Sequence, residues 1–321
     1  MQSQVLLAFV QARLPEALQD ATCTIGELAA RSEIPRASLA ALLQAASALG
    51  LSEKVSADRY QLGELGAVLI DNPGVIAMIK HHHALYKDLA DPLDLLQKEG
   101  TGSNLQHYWS YANPAESDDL ETGDVNDYTQ LMAASQHAVS EQVLAAIDLG
   151  ACGHLLDVGG GNASFAVAVA QKWPQLRVTV ADLPPVVAVA QQNIAAQGLE
   201  DRVDTIAIDF KRQQLPSGHD ALSFVRILHD HDDADVRQLL QAAASSLPAN
   251  GLLLVAEPLA DSTAAGRLLE TYFSMYLLAM GQGRLRRQDE LRSMLEAAGF
   301  RSIRRLNTPV PLISSVLSGR R

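Results

Sequence analysis

From Gly150 onward the chain alternates short apolar runs with helical segments, and this alternation narrows the possible folds more than any other feature. The runs are His154–Val158, Arg177–Ala181, Val203–Ile208, Ala221–Ile227 and Leu252–Ala256. Strands joined by helices in this way predict an α/β fold, a mostly parallel sheet covered by helices on both faces. The closing runs, about Arg301–Thr308 and Leu312–Leu317, have no helix between them and meet across Pro309 and Pro311. They are expected to close the sheet as a hairpin with one antiparallel strand.

Residues 1–110 have a different rhythm, of short helices with apolar residues at helical spacing. Thr24 to Glu27 is a capping box that opens a helix through Ile25, Leu28 and Ala29, and Pro35 ends that turn. A second helix from about Ala37 to Leu49 carries Leu39, Leu42 and Leu43, and Leu51 to Leu62 fits a two-stranded wing. This winged-helix pattern raises a DNA-binding regulator as one reading. Between Arg36 and Leu49, however, Arg36 is the only basic side chain, where a major-groove reader needs Arg, Lys, Asn or Gln. Acidic residues outnumber basic ones 37 to 25, and the net charge of −12 repels nucleic acid and anionic membranes. Protein–protein packing is therefore the favoured role of this region.

Val5 to Val10 is apolar but short, without a preceding Lys or Arg, and reads as an amphipathic helix rather than a signal peptide. No apolar run approaches the ~18 residues of a membrane span. The two cysteines, Cys23 and Cys152, are too few for a disulfide framework and fit reduced, cytoplasmic surroundings.

The chemistry concentrates at the strand ends. Leu155 to Ala163, with Asp157-Val158-Gly159-Gly160-Gly161 at its centre, is a strand running into a glycine turn and a helix. Nicotinamide, flavin and S-adenosylmethionine enzymes all use such a turn. A dinucleotide fingerprint starting at Gly159 and Gly161 would want a glycine where Ser164 stands, and Asp157 puts a carboxylate where a pyrophosphate would be repelled. A cationic amino acid moiety would be welcome there, which favours S-adenosylmethionine. Asp182, followed by Leu183 and Pro184, ends the next strand at the position for accepting bonds from ribose hydroxyls, although a helix-capping aspartate would look the same. Asp209 can accept from an adenine amino group, beside the Phe210 ring that can pack on the base.

The fourth strand leads into Arg226-Ile227-Leu228-His229-Asp230-His231-Asp232-Asp233. A histidine at the carboxyl end of a central strand faces the ligand crevice and can take a proton from a hydroxyl or bind a metal. Adjacent side chains of an extended segment point in alternating directions and cannot all converge on one ion, so no metal site is assigned. The run His81-His82-His83 meets the same objection and reads as helix surface with one ring turned inward. A helix from about Leu268 to Met280 sets Tyr272, Tyr276 and Met280 on one face, suited to core or dimer packing or to an apolar pocket.

Asp157–Gly161, Asp182-Leu183-Pro184, Asp209-Phe210 and Arg226–Asp230, in that order, resemble the motifs of the S-adenosylmethionine-dependent O-methyltransferases that include plant caffeic acid and acetylserotonin enzymes. Ser3–Val10, His81–Leu96, Tyr272–Arg286 and Pro311–Val316 look most like the bacterial hydroxyneurosporene (demethylspheroidene) O-methyltransferases, relative to which this sequence is expected to start later. The resemblance implies a helical, winged-helix-like dimerisation domain at 1–110, linking helices at 111–149 and a Rossmann-like catalytic domain at 150–321. It implies a homodimer acting on a small-molecule hydroxyl, with S-adenosyl-L-methionine as methyl donor and S-adenosyl-L-homocysteine as product. Gly159, Asp182, Asp209, Phe210 and Arg226 would line the donor. His229 would be the general base and Glu257 would hold it. Tyr272, Tyr276 and Met280 would wall the substrate pocket with Met132, on an earlier helix, Asp127–Leu144. Two departures stand out: Leu285 replaces the glutamate that precedes the family's Arg, here Arg286, and Val225 replaces a lysine. Another reaction helped by the sulfonium charge, such as hydroxylation or decarboxylation, is the alternative reading.

Overall fold

The computed structural model describes residues 1–110, 136–261, 263–311 and 313–321. They form two compact units, Met1–Tyr86 and Lys87–Arg321.

In the first unit, helices α1 (Gln2–Gln11), α2 (Leu14–Leu18), α3 (Ile25–Ser32) and α4 (Arg36–Ala48) enclose Phe9, Leu14, Leu28, Leu39 and Leu43, all essentially without solvent contact. Strands β1 (Cys23–Thr24), β2 (Ser52–Lys54) and β3 (Arg59–Leu62) pair antiparallel in the order β1-β3-β2. The capping box forms as the sequence predicts, with Thr24 accepting from the Glu27 amide and Glu27 accepting from that of Thr24. Arg36, the lone cation at the start of α4, pairs with Asp58 at 2.7 Å, so its charge is answered within the wing. Helices α5 (Glu64–Ala67) and α6 (Pro73–Asp88) follow; His81 is buried, His82 half-buried and His83 exposed.

The second unit begins earlier than the expected boundary at position 110. Helices α7 (Pro92–Gln97) and α8 (Asn104–Ser110) belong to it, and Ser103 Oγ donates to the carbonyl of Ala279 on α13 (Ala264–Met280). Helical residues 136–146 form α9. The sheet comprises β4 (His154–Val158), β5 (Arg177–Asp182), β6 (Val203–Ala207), β7 (Ala221–Val225), β8 (Leu252–Glu257), β11 (Arg301–Leu306) and β12 (Ser315–Arg320) in the order β11-β12-β8-β7-β4-β5-β6, and the short strands β9 (Leu259–Ala260) and β10 (Arg286–Arg287) pair in parallel apart from it. β12 runs antiparallel to both of its neighbours, and the other pairings are parallel. The closing hairpin thus supplies one reversed strand, inserted beside β8, while Arg301, Arg304 and Arg305 guard the outer edge.

Alternating residues of each strand feed two cores. Leu155, Val178 and Leu254 pack with Val139 and Val143 of α9, α10 (Ser164–Lys172) and α11 (Pro184–Ala196). Leu156, Phe224 and Val255 pack with Leu240 of α12 (Asp233–Ser246) and with Leu291 and Leu295 of α14 (Gln288–Ala297). The strand order reverses between β4 and β7, and a crevice at the carboxyl ends of those strands is where open α/β sheets bind ligands. Among the described residues no helix is long and apolar enough to cross a membrane.

Candidate active site

The glycine turn after β4 owes its shape to three left-handed residues, Gly159 (φ +71°), Gly161 (φ +59°) and Ala163 (φ +65°). A Cβ on Gly159 would run into the Ile227 side chain, and one on Gly160 would stand 2.6 Å from Asp157 Oδ2. A Cβ on Gly161 would meet nothing within 4 Å, so this peptide faces open space. Asp182 ties the turn to the end of β5: its Oδ2 accepts from the Gly161 amide at 2.8 Å and its Oδ1 from that of Leu183 at 2.7 Å. Burial raises the Asp182 carboxyl and the two amides oppose that rise. Each oxygen keeps an acceptor site, which suits a pair of ribose hydroxyls.

Asp157 departs from the expected placement. Instead of standing open at the strand tip, it lies beneath the turn, 1% exposed, with Ser223 Oγ donating to Oδ1 at 2.6 Å. Its position within β4 puts the side chain on the Leu155 face of the sheet, under Gly160. Burial pushes its carboxyl up to about 7, and the neighbouring Asp182 adds to this. Further along the strand ends, Asp209 accepts from the Lys211 amide at 3.1 Å, and Phe210 meets the His231 ring edge to face with centroids 6.1 Å apart.

β7 ends at Val225 rather than Ile227, because Arg226 takes a left-handed conformation, φ +58°. That turn directs the amides of Ile227 and Leu228 onto Glu257 Oε1, at 2.9 and 2.7 Å, and Glu257 Oε2 meets His229 Nδ1 at 2.6 Å. His229 and Glu257 are 5% and 2% exposed. The Arg226 guanidinium lies 5.7 Å from the Phe273 ring centre, and the His229 ring meets Phe273 edge to face at 5.5 Å. Phe273 in turn abuts Tyr272 and Tyr276, which stack on each other at 5.3 Å. Glycine turn, Ile227, His229 and the aromatic face of α13 therefore form one line of contacts. Tyr276 and Met280 are buried on that helix and Tyr272 is half-buried; Met132 lies outside the described residues.

Residues Leu228–Asp230 form a 3₁₀ turn, not the extended segment assumed from sequence. The side chains disperse all the same, but by separate partners: Asp230 Oδ1 lies 3.2 Å from His229 Nε2, Asp232 accepts from the Gly283 amide, and Asp233 binds Arg284 and Arg286. Burial and the Glu257 charge raise the Asp230 carboxyl, against the pull of His229 and Arg226.

Sequence reasoning passed over Ser223, Asp230, Phe273 and the part played by Arg286. Arg286 is 2% exposed and donates to the carbonyls of Leu228 and His231 at 2.6 and 2.7 Å, bracketing the 3₁₀ turn. Its sequence signal was its place beside the departure at Leu285, in a polar stretch where Arg284, Arg286 and Arg287 look alike.

An O-methyltransferase domain model matches residues 86–301. The chain belongs to this O-methyltransferase family. Over its whole length it is 37% identical to the demethylspheroidene O-methyltransferase of Rhodobacter capsulatus, covering 79% of that protein. It is 35% identical to the enzyme of the same name from Cereibacter sphaeroides, with 98% of this chain and 83% of that protein covered. Human N-acetylserotonin methyltransferase, solved in complex with S-adenosylmethionine, superposes with a TM-score of 0.82 at 25% identity, over 99% of this chain and 93% of the other. As a family member the chain is an S-adenosyl-L-methionine-dependent O-methyltransferase with a small-molecule acceptor. Its own residues fit the donor. Gly161 leaves open space beside the turn, and among the described residues no cationic side chain pairs with the buried Asp157 or Asp182, a deficit that a positively charged ligand would answer.

Proposed function

We propose that His229 is the general base of methyl transfer to a hydroxyl of an apolar small molecule, foremost a carotenoid or related polyene alcohol, with phenolic alcohols next. The observation that carries this reading is the Glu257 carboxylate, which grips the Ile227 and Leu228 amides with one oxygen and His229 Nδ1 with the other. An Nδ1–H donated to Glu257 leaves Nε2 as the acceptor for the substrate proton, and the carboxylate stabilises the imidazolium that results. Asp230 Oδ1 stands 3.2 Å from Nε2, close enough to meet the proton once it is on the ring. The bound donor supplies a methyl carbon activated by its sulfonium. His229 Nε2 would take the hydroxyl proton as that methyl passes to the substrate oxygen, leaving a neutral thioether. Alignment needs the oxygen about 3–3.5 Å from the carbon, a task for the wall formed by Phe273, Tyr272, Tyr276 and Met280, with Met132 proposed alongside. Asp182 would hold the ribose, Asp209 and Phe210 the adenine, and Gly159, Gly161, Leu183 and Arg226 the remainder of the donor.

The polyene reading is supported by the two full-length relatives named for demethylspheroidene and by the aromatic lining of α13, which suits long flat substrates. Incubation with labelled donor and a panel of carotenoid and phenolic alcohols tests it; labelling of phenols alone would overturn the first choice. His229→Ala should cut turnover by about 10²–10⁴-fold with donor affinity retained, and unchanged turnover would remove the base assignment. A homodimer through the first unit is supported by Leu65 and Val68, 58% and 56% exposed, and sedimentation equilibrium checks it. Cytoplasmic residence, supported by the sparse cysteines, is checked by fractionation.

A further inference from the structure

Two carboxylates are buried around the glycine turn, and they are not equivalent. Asp182 receives two backbone amides. Asp157 has one donor, the Ser223 hydroxyl, and its Oδ2 has no hydrogen-bond partner among the described residues. Among the described residues the surroundings bring no positive charge: β5 contributes Asp182, β7 contributes the uncharged Ser223, and the turn contributes the Gly160 backbone. An ionised carboxylate buried with one neutral donor and a second carboxylate nearby is costly, and such a group holds a proton until a cation arrives.

We propose that Asp157 is a proton-linked counter-ion of the donor site, holding a proton in the free enzyme and releasing it to solvent when the positively charged methyl donor binds. The inference rests on the assignment of that donor and concerns a residue placed beneath the turn, not one touching substrate. With a free-enzyme pKa of about 7, donor binding at pH 7 releases about half a proton per site, and donor affinity rises about tenfold between pH 6 and pH 8. The demethylated product has a neutral thioether in place of the sulfonium. Its amino acid moiety keeps an ammonium, so proton release on product binding reports that ammonium, and release confined to the donor reports the sulfonium.

Titration calorimetry of the full chain with S-adenosylmethionine, at one pH in buffers of different ionisation enthalpy, counts the protons released. The expected result is a slope of about half a proton at pH 7, lost in Asp157→Asn, whose donor affinity should be weaker at pH 8 and no longer rise between pH 6 and pH 8. Binding heat that is independent of buffer from pH 6 to 8 would overturn the proposal alone; no binding heat in the wild type would overturn the donor assignment as well. Should Asp157→Asn fail to fold, Ser223→Ala removes the hydroxyl that favours the ionised form and should move half-release to higher pH. Infrared difference spectra give a direct readout: a protonated-carboxyl carbonyl band in the free enzyme should disappear on donor binding. Its absence from the free enzyme would equally refute the proposal.

Discussion

Two sets of charge flank the His229 turn, one half-exposed around the buried Arg286 and one buried, and they are treated in opposite ways. Arg286, Arg284, Asp233 and Glu290 form a closed network in which each charge meets an opposite one within 3.1 Å. Asp157 and Asp182, at the glycine turn, have hydrogen bonds but no cationic partner among the described residues. A closed network holds backbone in place, since its Coulomb energy is already spent within the protein. An open one stores a preference for a ligand of the missing sign. The difference separates scaffold from site without reference to sequence motifs.

The contrast can be broken from either side. Arg286→Ala should have the largest effect on folding, about 2–5 kcal/mol in denaturant titrations at about 1–3 kcal/mol per unmade bond, because it leaves the Leu228 and His231 carbonyls without their donor, while Asp233 keeps Arg284. Lysine cannot restore that fork, so Arg286→Lys should recover only part of the loss. Asp182→Ala should instead leave folding largely intact and weaken donor binding by about 10–100-fold in calorimetry. A similar loss of fold in both variants would remove the distinction.

Stability against pH sharpens it further. The native state holds the Asp157 proton up to about pH 7, whereas the unfolded chain releases it near 3.8. Between those values the folded state binds more protons, so this group makes stability fall as pH rises. Denaturant midpoints of wild type and Asp157→Asn should therefore diverge across that window, with the wild type losing ground toward neutral pH. Arg36→Ala provides the small end of the scale. Its pair with Asp58 is exposed at 63% and 44%, and the change should stay below about 1 kcal/mol.

Much of the fold was legible because apolar runs and glycine punctuation report local geometry directly. β4 has the bounds that the sequence gives it, and β5, β6 and β8 fall within a residue of theirs. The end of β7 was not legible, since nothing in Val225-Arg226-Ile227 announces a left-handed arginine; Glu257, thirty-one residues on from Arg226, imposes it by gathering the two amides that follow. Of the site, His229 could be expected from its place at the end of a central strand, and its pairing with Glu257 from the family resemblance. The burial of Asp157 could not, because it depends on Gly160 closing over it and on Ser223 from a neighbouring strand. Arg286 was hidden for a similar reason: its partners lie 53 to 58 residues earlier in the chain.

Gly281 ends α13 in a left-handed turn, and at Gly283 a side chain would strike the carbonyl of His229. The Arg284 amide then binds that same carbonyl at 3.0 Å. The aromatic face of α13 and the His229 imidazole, proposed above as acceptor wall and base, are thus geared together through three residues of backbone. Refitting that wall to a bulkier acceptor would tilt the ring as well, so altered substrate range and altered proton transfer should arrive as a single trait.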